Sequence, residues 1–228
     1  MSENIHAGHR KRLKERFDEH GLDSFSDIEA LEILLFYAVP RTDTNTIAHR
    51  LLNHFGSLRA VLEAEPRALR EVEGVGASAA ALIRLTSELN RRYMISKRKA
   101  NRALNTAAEA GEYLLPLFAY QTNEIAYALS LDSRSMVLHC HELARGMANK
   151  VDFTVRDIVD TALRDNASRM IIAHNHLSGT ALPSNSDISA TKRIQSALNL
   201  IGVELADHII VCDDDFVSLR DSGFFTRF

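Results

Sequence analysis

A buried strand that ends in two histidines sets the terms for this chain. The apolar run Met170-Ile171-Ile172-Ala173 reads as the end of a buried β-strand and passes directly into His174-Asn175-His176. On an extended chain, side chains two residues apart share a face, so His174 and His176 can converge on one ion. Ser178-Gly179 and Pro183-Ser184 then mark a loop. Ser184 stands three residues before Asp187, an S-x-x-D pattern that suits a helix start and sets Asp187 in the first turn. From there its carboxylate can return as a third ligand. Two imidazoles and one carboxylate suit zinc, one ion per chain. Three protein ligands leave a fourth position for water, as catalytic sites do. An H-x-H alone can equally be two hydrogen-bonded side chains, so the residues by themselves leave both readings open.

Composition excludes several classes. The chain has 228 residues, enough for one large or two small domains, and its 46% hydrophobic and 25% charged residues are those of an ordinary globular protein. No apolar run approaches the roughly 20 residues that span a bilayer. Met1-Ser2-Glu3-Asn4 begins no apolar signal core, so a cytoplasmic protein without a membrane partner is expected. Cys140 and Cys212 fit a reducing compartment, form no C-x-x-C pair and lie in apolar strand-like runs, as core residues do. The net charge of −3 makes no global case for nucleic acid.

The first half reads as all-α. A basic segment, Gly8-His9-Arg10-Lys11-Arg12-Leu13-Lys14, is followed by Ser26-x-x-Glu29, a capping box that opens an apolar helical face, and Pro40 ends that helix. A further helix is expected over Thr44–Phe55. Gly74-Val75-Gly76 then lies between two helical segments, where a sharp turn leaves amide groups at a helix N-terminus that can hold a phosphate. The pattern looks like a helix-hairpin-helix element, a sequence-independent binder of the DNA backbone; the alternative is a turn that only packs two helices. Residues 91–102 carry Arg91, Arg92, Lys97, Arg98, Lys99 and Arg102 with no acidic residue, which suits either a solvated linker or phosphate contact. The expected division is a helical domain over 1–95, a basic linker over 96–105 and a second domain over 106–228.

The second half interleaves helices and strands, the pattern of an α/β mixed-sheet domain. Helices are expected over Ala107–Phe118, from the Thr154-x-x-Asp157 cap, and from about Asp187 to Gly202; strands are expected over 124–131, 136–143 and 203–212.

The run from His174 to Asp187 resembles the JAMM signature of the JAB/MPN metalloprotease family. Together with Ala38-Val39-Pro40-Arg41-Thr42-Asp43-Thr44-Asn45, the Gly74-Val75-Gly76 hairpin and Asp207-His208-Ile209-Ile210-Val211, it is similar to the RadC branch over nearly the whole chain. Leu177 departs from that branch, which usually carries Pro there, but the change removes no ligand. The resemblance implies a JAB/MPN-type fold behind a helix-hairpin-helix domain, with zinc on His174, His176 and Asp187. It also implies a Glu base on an earlier strand. Glu142-Leu143-Ala144-Arg145-Gly146 looks like that segment, so Glu142 is the expected base, although a lone Glu at a strand end is also an ordinary surface carboxylate. Ser184 is the expected oxyanion donor, or else only the helix cap. The implied reaction is hydrolysis of a peptide or isopeptide, in a protein for which DNA and a homodimer are further candidate partners. The rival reading is a non-catalytic DNA-associated module whose zinc is structural. His208, beside Asp207 on an apolar strand, is a candidate to orient a ligand from behind, although a satisfied core histidine is the commoner reading on such a strand.

Overall fold

The computed structural model describes residues 5–40, 42–97, 102–146, 154–177 and 180–225. The chain divides into two compact units, Met1–Asn90 and Arg91–Phe228. The first is helical: α1 (Ile5–His20), α2 (Asp27–Leu35), α3 (Thr44–Phe55), α4 (Leu58–Glu63), α5 (Pro66–Leu69) and most of α6 (Ala77–Ser96). Ser26 caps α2 by accepting from the Glu29 N–H while the Glu29 carboxylate accepts from the Ser26 N–H. The apolar stripes of these helices close on a core of Leu31, Leu35, Ile47, Leu51, Leu69 and Ile83.

The division falls inside α6, at the start of the basic stretch and a few residues before the linker that composition alone sets over 96–105. α6 continues through Ser96, and Ile95 near its end packs against the core of the second unit. A charged run on a helix face looks like a linker in sequence because only its solvent side is charged. Residues 98–101 of the expected linker lie outside the described residues.

The second unit holds α7 (Ala107–Phe118), β1 (Ile125–Leu131), β2 (Val137–Arg145), α8 (Val155–Arg164), β3 (Arg169–Asn175), α9 (Asn185–Leu200), β4 (Glu204–Cys212) and β5 (Asp215–Ser218). The sheet order is β2-β1-β3-β4-β5; β3 and β4 are parallel and the other neighbours antiparallel. The parallel pair requires a crossover, and α9 supplies it. β1 and β3 are buried along nearly their whole length, because helices cover both sheet faces. One face packs Leu129, Ile171 and Ile209 beneath Leu114 and Phe118 of α7; the other packs Ala128, Ile172 and Ile210 beneath Ile158 of α8 and Ile194 of α9. A helical unit followed by a mixed α/β sheet is the architecture that the sequence predicts.

The α7 layer tolerates little added volume. A Cβ on Gly111 would sit 2.3 Å from the Phe216 ring of β5. Gly111→Ala is therefore expected to destabilise the protein by about 1–3 kcal/mol, the usual scale of overpacking, despite the better helix propensity of Ala. Chemical denaturation of both proteins checks this, and an unchanged or raised midpoint would contradict the packing.

Candidate metal centre

The site forms where β3 runs out. β3 is the last antiparallel partner of β1 and the first parallel partner of β4, so its carboxyl end opens toward the start of the crossover helix. In open α/β sheets, ligands gather at such carboxyl ends. The pleat sends alternate side chains to opposite faces: Ala173 belongs to the α7 core, so His174 points to the α8/α9 face with Ile172. The His176 N–H donates to the Val211 carbonyl at 2.8 Å, which keeps the chain extended for one more residue and returns His176 to the His174 side.

Asp187 arrives from α9. Ser184 is the N-cap and Asp187 the N3 residue of a capping box: the Asp187 N–H donates to Ser184 Oγ at 3.3 Å, and Asp187 Oδ2 accepts from the Ser184 N–H at 2.8 Å and its hydroxyl at 2.6 Å. The helix start thus orients the carboxylate. His174 Nε2 lies 3.1 Å from His176 Nε2 and 3.4 Å from Asp187 Oδ1, and His176 Nε2 lies 3.6 Å from Asp187 Oδ2. One ligand atom from each residue falls within 4.8 Å of the others, the one such three-residue group among the described residues. The donor set fits zinc: borderline-soft imidazoles, one hard carboxylate, and three ligands rather than four.

Electrostatics divide the two histidines. Burial pulls the His174 pKa down to about 4, so that ring is neutral near pH 7. His176 is raised, first by its hydrogen bond to Asp187, with burial opposing. Burial also opposes ionisation of Asp187, but bonds from His176 and Ser184 outweigh it and hold the carboxyl well below the ordinary carboxylate range. The trio therefore favours one cation beside Asp187, whether proton or metal.

Glu142 is not brought to this group. It lies opposite Tyr127 across the β1–β2 pair, and its carboxylate meets the Tyr127 hydroxyl at 3.4 Å and the Arg145 guanidinium at 2.8 and 3.0 Å. Tyr127 belongs to the α7 core, so Glu142 sits on the sheet face opposite His174. The Arg145 guanidinium also holds the Glu142 carboxyl below its usual range, which makes it a weaker base. Another carboxylate, Glu124 just before β1, interacts electrostatically with both His176 and Asp187. Burial raises its pKa first, Asp187 raises it further, and His176 opposes. Asn175, between the two histidines and facing away from His174, secures this segment: its Oδ1 accepts from the Ile125 N–H at 2.7 Å and its Nδ2 donates to the Asn123 carbonyl at 3.2 Å. Ser184 stays with Asp187. In this arrangement its single hydroxyl proton is directed to the carboxylate, as the cap role requires.

The RadC-like JAB domain family matches residues 104–224, which carry the sheet and every residue of the site, and the UPF0758 N-terminal family matches residues 6–81. A UPF0758 protein of Pseudomonas fluorescens is 36% identical over 214 residues, covering 94% of this chain and 96% of its own. One from Marinobacter nauticus is 33% identical (93% and 95% covered), and one from Desulforudis audaxviator 34% (94% and 93%). The chain belongs to the UPF0758 family and carries a RadC-like JAB domain.

In this UPF0758 chain the three hairpin residues have separate roles. Gly74 adopts φ +93° and passes so close to α3 that a Cβ would meet Ile47 Cγ1 at 2.8 Å. Val75 is buried in the helical core. Gly76 is exposed beside the start of α6, and a Cβ there would meet nothing within 4 Å. Gly74 and Val75 thus serve packing, and Gly76, exposed like Gly74, has open space beside it. Asp207 is also buried, turned toward Ser218 at 2.7 Å. Among the described residues, no helix is long and apolar enough to cross a membrane.

Metal affinity should carry the signature of His176. Its hydrogen bond to Asp187 raises its pKa above the ordinary imidazole range, whereas His174 stays neutral down to about 4 and Asp187 stays ionised, so one proton competes with the metal. Below the His176 pKa, apparent zinc affinity should fall by about tenfold per pH unit between roughly pH 6.5 and 5, and level off at higher pH. Chelator competition across that range checks it; a flat profile would contradict the assignment of His176 as a ligand.

Proposed function

We propose that this UPF0758 protein is a zinc-dependent hydrolase of amide bonds, acting on a peptide or isopeptide. The observation that carries the reading is the His174–His176–Asp187 group with a second carboxylate, Glu124, held within electrostatic reach but outside the donor set. His174 Nε2, His176 Nε2 and the Asp187 carboxylate would hold the ion, which when bound supplies an activated water and polarises a carbonyl. Glu124 serves as the proton carrier, accepting a proton from water and delivering it to the leaving amine. Its partial burial suits that task, because a carboxylate with a raised pKa can give the proton back near neutral pH. Ser184 positions Asp187, and Asn175 positions the backbone that carries Glu124. The position of Glu142 supports no part in proton transfer.

Two conservative substitutions separate the candidate bases. Glu124→Gln is nearly isosteric and cannot accept the proton, so it should keep zinc by elemental analysis and lose roughly 10²- to 10⁴-fold in hydrolysis of a peptide and isopeptide library. Glu142→Gln should retain both. The opposite pattern would restore Glu142 as the base, and zinc-loaded protein that hydrolyses nothing would favour a structural metal.

A second reading concerns the helical unit. The outward Gly76 borders a cleft of about 470 Å³ with Val39, Pro40 and Thr42, and α6 opens there with no acidic residue in its first turn. That is a setting in which helix amides accept an anion, and it supports sequence-independent contact with a DNA phosphate as a proposal. The full chain should then bind duplexes of unrelated sequence alike, with affinity falling steeply as salt rises. Gly76→Glu fits the open space and should abolish binding without loss of helicity; retained binding would assign the turn to packing alone.

A further inference from the structure

The proposed function leaves His208 without a task, although its surroundings are more specific than those of a core histidine. His208 lies on β4, fully buried, with both ring nitrogens in short contacts. Nδ1 is 2.6 Å from the Thr191 hydroxyl of α9, and Nε2 is 2.9 Å from Nδ1 of His174. The Thr191 hydroxyl also lies 2.6 Å from the backbone carbonyl of Asp187, one turn earlier in α9.

These contacts fix the direction of every bond in the chain. A carbonyl only accepts, so the single proton of the Thr191 hydroxyl lies toward Asp187. The hydroxyl must then accept from His208, which puts the His208 proton on Nδ1. A neutral imidazole has one N–H, so His208 Nε2 is an acceptor and takes the Nδ1 proton of His174. His174 Nε2 is left with a bare lone pair aimed at His176 and Asp187, 3.1 and 3.4 Å away. The nearest acid in sequence plays no part in the relay: the Asp207 carboxylate accepts from the His208 backbone N–H at 2.7 Å and from Ser218.

We propose that the Thr191–His208 pair sets the tautomer of His174, holding its proton on Nδ1 and presenting Nε2 as the metal-binding atom. His208 is a positioning residue and not a ligand. A carboxylate or carbonyl is the common partner behind a ligating histidine. Here an imidazole takes that place and is itself oriented by a hydroxyl that a backbone carbonyl orients. The carbonyl belongs to Asp187, so the relay begins and ends on ligand residues and ties the first turn of α9 to β4 and β3. The metal role of this relay rests on the zinc reading above; the tautomer itself does not.

The test therefore reads the tautomer and the metal separately, on the full chain. Ring ¹⁵N NMR of histidine-labelled, chelator-treated protein at about pH 8 should show His174 and His208 as Nδ1–H forms, opposite to the Nε2–H form that free histidine prefers. Thr191→Val keeps the volume but removes the acceptor for His208. It should shift His174 toward the Nε2–H form and weaken zinc binding roughly 10- to 100-fold by chelator competition. Thr191→Ser should restore both. His208→Gln, which can donate to Thr191 and accept from His174, should bind zinc more tightly than His208→Leu. A wild-type His174 in the Nε2–H form overturns the proposal, even if none of the variants folds. So does Thr191→Val with unchanged His174 signals and zinc affinity. Wild-type protein with the expected tautomers and no affinity for zinc would refute the zinc reading and leave the relay standing.

Discussion

The centre depends on a helix cap. Asp187 is both the residue that closes the first turn of α9 and the carboxylate that meets His174 and His176, and one oxygen serves the cap while the other faces His174. A cap of this kind is worth about 0.5–2 kcal/mol to a helix. Here it also removes the freedom of a side chain that would otherwise have to be ordered for each binding event. The carboxylate then decides the charge of the group: it draws positive charge to His176, while burial keeps His174 neutral. Three side chains that would each be ordinary on a surface become a group that could hold one cation.

Around the cap, the sheet supplies two opposed uses of a single strand. His174 leaves β3 on the α9 side, into the donor group. Asn175 leaves on the other side and bonds the backbone on both sides of Glu124. The tripeptide His174-Asn175-His176 thus spaces two ligands and anchors the segment that carries the acid–base candidate. Because β3 is buried and paired on both sides, its ligand-bearing end is held on a rigid element, where a site is most accurately presented.

Much of this was legible in the chain order. The helical first half, the strand before the histidines, and the boxes at Ser26, Thr154 and Ser184 follow from apolar periodicity and the chemistry of helix ends, which act within a few residues. The three metal-site residues were legible because each is fixed by local geometry: two alternate positions on a strand, and the first turn of the next helix. The rest of the site was not. Between an orienting role and a core role for His208 the chain order does not decide, because its partners lie 17 and 34 residues away.

Glu142 shows where local pattern stops. Between Ala126 and Tyr127 the β1–β2 register slips, so Ala126 faces Ala144 but Tyr127 faces Glu142, with Leu143 as the extra residue. In unbroken register Glu142 would oppose Ala128, whose face is that of His174; the bulge moves it to the Tyr127 face, beside Arg145. A one-residue slip leaves no trace in composition or spacing. The sequence by itself determined the elements, their caps and the three side chains that gather at the end of β3, because those depend on contacts between near neighbours in the chain. Only the tertiary structure decided which carboxylate comes within electrostatic reach of them and which buried histidine stands behind His174, because strand register and the meeting of α9 with β4 are properties of the packed sheet.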